Sequence, residues 1–367
     1  MNRSDYQRLG DYIREVNVRN RDLAVTNLLG VSISKEFITS IANTIGTDMS
    51  SYKVVRSYQF AYGPVTSRNG DKISIALLHG GEHAIISQTY IVFEVRDEKT
   101  LMPEYLMMWF RRPEFDRYAR FHSHGSTREV FDWNEMCNVL LPVPSIERQR
   151  AMVAEYETLS RRIDLNRSMI AQLEATAQTL YRKMFVDGID PEHLPAGWRM
   201  GTLGEVAEIR AGGDKPKEFT EEPSERSNIP VVANGVENNG IVGYTLLPTI
   251  VDPSVTISAR GTIGVSIVRT YPYYPIVRLI SVIPNNKLLL YNLWYQLSDK
   301  QFQGDGSVQN QLTIPFVERE DILIPDDKIL KDFDTRMTIL HNSTEMYTKE
   351  ITILIKLQSL LLAKMGQ

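Results

Sequence analysis

His79-Gly80-Gly81-Glu82-His83 is the string whose residue types come nearest to catalysis. Two histidines and a glutamate at that spacing hold zinc when they share one face of a helix. Two adjacent glycines at its centre cost a helix about 1 kcal/mol each relative to alanine. β-type runs flank the string on both sides, so it reads as a hairpin turn and no metal is assigned to it. His122-Ser123-His124 lacks a third ligand close by and reads as loop. Cys137 is the single cysteine, which permits neither an internal disulfide nor a Cys-based zinc site and suits a reducing compartment. Serine and cysteine nucleophile motifs, a Gly-x-x-x-x-Gly-Lys-Ser/Thr phosphate loop and a Gly-x-Gly-x-x-Gly dinucleotide turn are all missing. No Asn-Pro-Pro-Tyr-like string of amino-methyltransferases occurs either. The expectation is a chain that is not an enzyme and carries neither metal nor cofactor of its own.

Binding is better written into the sequence than catalysis. The formal net charge is −4, which argues against an indiscriminate cationic nucleic-acid binder. The distribution says more. From Pro253 to Ser298 there is no acidic residue, while Arg260, Arg269, Arg278 and Lys287 occur with Tyr271, Tyr273 and Tyr274. Met49 to Gly70 is likewise acid-free and holds Lys53, Arg56 and Arg68 with Tyr52, Tyr58 and Tyr62. A phosphate-facing groove beside readable base edges needs such stretches. Amide side chains pair bidentately with adenine and arginine with guanine. Candidate contacts in the first half of the chain are therefore Lys53, Arg56, Tyr62, Arg68 and Arg128. In the second half they are Lys215, Lys217, Asn234, Asn238 with Asn239, Arg260, Thr262 and Tyr273, then Gln309, Asn310 and Gln311 after Gly306-Ser307.

The elements that must hold these residues are written twice. From Arg150 to Met184 there is no Gly or Pro, and apolar residues recur in a 4, 3, 4 rhythm that includes Ile163, Ile170, Leu173 and Leu180. Asn166 fills the one slot where a hydrophobe is expected. Ile329 to Met365 repeats the ladder through Leu340, Tyr347, Ile351, Leu354 and Leu361. Phe333 follows Met152, and Met365 follows Met184, by the same 181 positions. Pro144 and Pro325 share that offset, as do Gly125-Ser126 and Gly306-Ser307, whereas Leu9-Gly10-Asp11 and Leu203-Gly204-Glu205 differ by 194. Each ladder is a heptad pattern, and about 36 helical residues make a rod of about 54 Å. An apolar stripe of that length needs a partner, and the other copy supplies it. Asn166 is expected to face Tyr347, Thr344 or Gln358 and so to fix the register. Between the rods lie β-branched runs broken by Gly, Pro and Asn, a helical stretch at 103–119 opened by Pro103, and another at 288–298. With 367 residues and 43% hydrophobic composition, two domains with real cores are expected. The first residues lack the apolar core of a signal peptide and no run approaches eighteen apolar residues, so a cytoplasmic chain is expected, without contact to a membrane.

Leu194-Pro195-Ala196-Gly197-Trp198, followed by GTLGEVAEIRAGGDKPKE, resembles the opening of a target-recognition domain of type I restriction–modification specificity subunits. ISARGTIGVSIV (257–268) and GSVQNQLT (306–313) resemble later landmarks of that domain. LLPVPSIERQRAMVAEY (140–156) with LNRSMIAQLEATAQTLYRKMFVDG (165–188) resembles the family's first spacer helix. The likeness runs over essentially the whole chain, and its force lies in the order and duplication of strings that are weak singly. The second copy departs at IPDDKILKDF (324–333), which lacks the ERQ element of 147–149.

The resemblance implies an α+β fold with a pseudo-two-fold internal repeat: two mixed β-rich target-recognition domains, at 1–144 and 189–325, separated by long antiparallel coiled-coil helices at 145–188 and 326–367. It also implies that each domain reads one half of a bipartite site in double-stranded DNA, while the helices set the spacing and carry two methyltransferase subunits, which restriction subunits then join. S-adenosylmethionine, Mg and ATP would belong to those partners. Two other readings stay open: a related system whose partner fuses nuclease and methyltransferase, and a coiled-coil adaptor with two binding heads that touches no DNA. An enzyme built on His79, Glu82 and His83 is a fourth.

Overall fold

The computed structural model describes residues 6–41, 46–67, 69–81, 83–125, 128–300, 302 and 311–366. The chain divides into two compact units, one formed by 1–167 with 349–367 and the other by 168–348. Each boundary falls inside a long helix, Ile146–Phe185 or Asp327–Lys364. Every unit therefore takes part of both rods rather than ending where a rod begins.

In the first unit the strand Tyr6–Arg8 pairs antiparallel with Leu140–Pro142. A single turn, Leu9–Asp11, leads into a four-stranded antiparallel sheet ordered Ile13–Val16, Ile91–Val95, Gln59–Tyr62, Ile75–Leu77. Two small ribbons, Leu29–Val31 with Phe37–Thr39 and Lys53–Val55 with Ala84–Ile86, complete its β structure. The sheet buries Phe60 and Phe93, stacked at 4.8 Å, beneath the edge of Phe110. Val153 and Tyr156 of the first long helix and Leu362 and Met365 of the second join the same core.

The second unit repeats the plan. Arg199–Thr202 pairs with Asp321–Ile324, and the sheet order is Ala207–Ala211, Ile280–Pro284, Ser254–Ile257, Ser266–Arg269, again antiparallel throughout. The Leu-Gly-acid strings explain themselves here. Leu9 N–H donates to the Val139 carbonyl at 2.8 Å and Leu203 N–H to the Glu320 carbonyl at 2.9 Å. A Cβ on Gly10 would lie 2.8 Å from Cys137 Cβ, and one on Gly204 would lie 3.3 Å from Glu318 Cβ. Both glycines thus let the chain pass close to a short helix, Trp133–Asn138 or Ile314–Glu318. Residue pairs 139/320 and 137/318 keep the offset of 181 seen in the rods.

Three local expectations change. The helical stretch at 103–119 is two helices, Pro103–Arg111 and Pro113–Phe121, because the residue before a proline is pushed to extended backbone, and Arg112 has φ −69°, ψ 137°. The 79–83 string is not a hairpin turn. Ile75–Leu77 pairs with Gln59–Tyr62, whereas Ala84–Ile86 pairs with Lys53–Val55, so the string connects strands of different sheets. Asn166 does not face Tyr347, Thr344 or Gln358. Its Nδ2 donates to Glu350 Oε2 at 2.9 Å, and Arg162 holds the same carboxylate bidentately at 2.8 and 3.1 Å. Gln358 donates instead to Ser160 Oγ at 2.7 Å. The antiparallel register puts Glu350 beside the seam, where the arginine can compensate its charge.

The seam itself holds its predicted residues to different depths. Ile163 and Asn166 are buried, and Ile351, Leu354 and Leu361 are half-buried, in the first unit. In the second, Leu180 and Leu340 pack against the core, while Ile170, Leu173 and Tyr347 are half-buried. Tyr181 and Phe185 matter more than the ladder indicates. Tyr181 stacks on Tyr295 at 4.8 Å, and Phe185 meets Phe333 edge-on at 4.9 Å. Towards its ends each rod is covered by its unit as well as by the other rod, so the buried stripe widens beyond a strict heptad.

Candidate nucleic-acid interface

In the second unit, one half-buried amide gathers the loops. Asn234 accepts from Ala259 N–H at 2.7 Å and donates to the Val277 carbonyl at 2.7 Å. Ala259 opens the loop between strands Ser254–Ile257 and Ser266–Arg269, and its carbonyl accepts from Leu312 N–H at 3.1 Å. Next to it, exposed Arg260 donates through Nε and Nη2 to Gln311 Oε1 at 2.9 and 2.7 Å. Val277 and Arg278 both adopt left-handed backbone and donate to Gly213 and Gly212, the residues that lead to Lys215 and Lys217. Lys215 Nζ sits 3.4 Å from the Phe219 ring centroid. Ala233 N–H bonds the Gly240 carbonyl and closes the loop that carries Asn238 and Asn239. Segments more than ninety positions apart thus meet, and they expose Arg260, Thr262, Arg278, Asn238, Lys215 and Lys217.

The first unit forms the matching arrangement from the connection between Gln59–Tyr62 and Ile75–Leu77. Phe131 N–H donates to the Pro64 carbonyl at 2.8 Å, and Thr66 N–H donates to the Glu129 carbonyl at 3.0 Å. Arg128 is exposed beside this junction, and Arg120 pairs with Glu129. Arg56 is exposed at a corner whose next-but-one residue, Tyr58, has φ 61°.

Of the residues singled out by sequence, Arg56, Arg128, Lys215, Lys217, Asn238, Arg260 and Thr262 are exposed, and Asn234 and Gln311 are half-buried supports. Arg68, Gln309 and Asn310 lie outside the described residues. Three others are corrected. Lys53 is buried on its strand, its ammonium 3.9 Å from Glu15 Oε1, and burial outweighs that carboxylate in pulling its pKa below the ordinary lysine range. Tyr62 is a core ring at 6.1 Å from Phe93, and burial pushes its hydroxyl up. Tyr273 is fully enclosed between Ser254 Oγ at 2.7 Å and Ser281 Oγ at 2.9 Å, and burial likewise raises it. Acid-free runs locate a basic region but not which strand residues point inward. Arg278 lies in such a run, and its left-handed corner, not its composition, puts it outside.

The histidine strings take other places. His79 lies edge-on to Tyr58 at 6.5 Å. His122 lies over Tyr118 at 4.2 Å and reaches Glu135 at 3.1 Å. Glu82 is outside the described residues, among which no three His, Cys, Asp or Glu side chains converge as a metal site would require.

Residues 195–351 match the family model for the type I restriction modification DNA specificity domain. A protein of Mycoplasma pneumoniae named as a type I specificity subunit is 25% identical over 339 residues, 88% of this chain and 90% of that one. The HindI specificity subunit of Haemophilus influenzae is 19% identical and covers 97% of each chain. The crystal structure of a type I restriction-modification S subunit from M. genitalium superposes with a TM-score of 0.66 at 14% identity, covering 99% of this chain and 96% of the other. That likeness concerns the fold.

Two of the strings that carry the resemblance have plain physical roles in this chain. Gly197 has φ +84°, and Trp198 donates Nε1–H to Asp326 Oδ2 at 3.0 Å while lying against Phe185 at 5.8 Å. Asp326 in turn accepts from Lys328 and Ile329 N–H, capping the second long helix. The Trp198 hydrogen bond first, then those backbone donors, hold its carboxyl below the usual range. Gln149 of the ERQ element is fully buried, donates to the Thr100 and Pro144 carbonyls and accepts from Met102 N–H, each at 2.9 Å. Leu330, 181 positions on, is an equally buried hydrophobe, so the second copy replaces that polar junction with apolar packing.

Proposed function

We propose that this chain is the DNA sequence-specificity subunit of a type I restriction–modification complex, with each unit reading one half of a bipartite site. The observation that carries the reading is the duplicated loop junction. In both units the connection before the last strand of the four-stranded sheet is bonded to the segment entering a short helix, and an arginine, Arg128 or Arg260, stands exposed beside it. Phosphate contacts by Arg and Lys fix register on a duplex, and amide or guanidinium forks read base edges. Two units with the same frame and different loops suit two different half-sites.

The long helices pair antiparallel within each unit, and in this reading they set the separation of the half-sites and dock two methyltransferase subunits, with restriction subunits joining them. The subunit itself transfers no methyl group and cuts no DNA. S-adenosylmethionine, Mg and ATP act in the partners, and the complex works in the cytoplasm. Among the described residues no helix is long and apolar enough to cross a membrane. The test is duplex binding and methylation by the subunit alone and with its partner methyltransferase. Methylation is expected only with the partner, and duplex binding should weaken steeply with salt. Intrinsic methylation, or binding indifferent to salt, would overturn the proposal.

A further inference from the structure

Arg269 is 1% exposed, and no carboxylate lies within ion-pair distance of it among the described residues. Arginine keeps its charge, and a buried charge without a counter-charge is unfavourable unless oxygens replace the lost water. Three neutral oxygens do so. Nε donates to Thr256 Oγ1 at 3.2 Å, Nη1 to the Tyr271 hydroxyl at 3.0 Å, and Nη2 to the Asn239 carbonyl at 2.7 Å.

The last of these bonds holds an unusual corner. Asn238 has φ 49°, ψ 36° and Asn239 has φ 53°, ψ 29°, two consecutive left-handed residues that are not glycine. Such backbone persists where its surroundings impose it. Here the surroundings are the Arg269 fork below and the Ala233–Gly240 hydrogen bond across the loop. The Asn238 carboxamide is spent on the Ile241 carbonyl at 3.3 Å. The Asn239 side chain is exposed, and nothing in the described fold hydrogen-bonds it. Among the described residues the first unit has no such device. By sheet order the place of Arg269, opposite Ser254, falls to Leu78, opposite Gln59.

We infer that Arg269 is a positioning residue that presents the Asn239 carboxamide to an adenine edge in the half-site read by the second unit. A carboxamide offers a donor and an acceptor in one plane, the pattern that matches adenine N7 and N6 in the major groove. The enclosed positive charge also favours the approach of a polyanion to this corner. The inference rests on the reading of that unit as a DNA-reading head.

The test uses the subunit assembled with its partner methyltransferase and sequencing of methylated adenines. Asn239→Gly keeps the left-handed backbone and the carbonyl that Arg269 holds, and removes only the carboxamide. It should relax one A·T position of one half-site by about tenfold or more, leaving the other half-site intact. Arg269→Lys keeps the charge without the fork and should relax the same position. Unchanged discrimination in Asn239→Gly overturns the inference whether or not Arg269→Lys folds. Loss of discrimination spread over both half-sites overturns it too, since that is what general destabilisation produces. Exchange of 189–325 for the corresponding segment of another specificity subunit separates the two levels. If the exchange changes a half-site and Asn239→Gly does not, only this inference falls; if the exchange changes nothing, the reading head itself is refuted.

Discussion

Replacing Asn234 with alanine removes the bridge between three loops of the second unit while leaving every cationic side chain in place. Two hydrogen bonds disappear, from Ala259 N–H and to the Val277 carbonyl, both 2.7 Å long. Ala259 is fully buried, so its N–H is left without a partner, which costs about 1–3 kcal/mol; the second bond contributes about 1 kcal/mol more. A loss of about 2–4 kcal/mol in this unit is expected, at least about 30-fold in its folding equilibrium. Guanidinium unfolding should show a lower midpoint at an unchanged slope. In the assembled complex, Asn234→Ala should weaken recognition of one half-site, because the Arg260–Gln311 pair and the Val277–Arg278 corner lose their common support. A stability change under about 0.5 kcal/mol, within the range of ordinary surface substitutions, together with unaltered recognition, would refute the claim that Asn234 organises these loops.

Gln149→Ala should cost about 2–3 kcal/mol by orphaning Met102 N–H and two carbonyls, measured as a lower unfolding midpoint, whereas Leu330→Gln should be destabilising for the opposite reason, a polar group placed in an apolar site. Gly10→Ala should destabilise more than Gly204→Ala, since its Cβ would approach Cys137 at 2.8 Å against 3.3 Å for Glu318; equal melting temperatures would contradict the geometry. His341, packed on Tyr291 at 5.7 Å with Glu345 at 3.5 Å, has its pKa lowered from 6.5, chiefly by burial. The unfolded chain therefore binds a proton that the folded one resists, so this group's contribution is complete above pH 6.5 and is lost as pH falls below it. His341→Phe should flatten thermal stability between pH 7 and 5.5, and an unchanged pH profile would exclude His341 as the source.

The repeat was legible because backbone contacts enforce it. Gly10 and Gly204 are required by close approach to a short helix, so the Leu-Gly-acid string recurs, and the heptads keep the rods at one offset in both halves. The helix pairing could be read for the same reason, since an apolar stripe needs a partner. Side-chain direction within strands could not be read. Lys53, Tyr62 and Tyr273 sit in acid-free, aromatic-rich runs, yet local pairing turns all three inward, and composition carries no record of that. Asn166 announced a polar layer, but its partner Glu350 depends on an interhelical register that neither helix encodes alone. The loop cluster around Asn234 joins positions 212, 234, 259, 277 and 312, which no local pattern connects. The 79–83 string misled because strand-like flanks look the same whether the strands pair with each other or, as here, with different neighbours.

The central claim is that each unit reads one half-site independently. It is tested most directly by replacing residues 1–144 with the corresponding segment of a type I specificity subunit and sequencing methylated adenines in cells that also carry the proposed partner methyltransferase. The account predicts a new sequence in one half-site, with the other half unchanged. Changes in both halves, or an unchanged motif from a complex that still methylates, would contradict it.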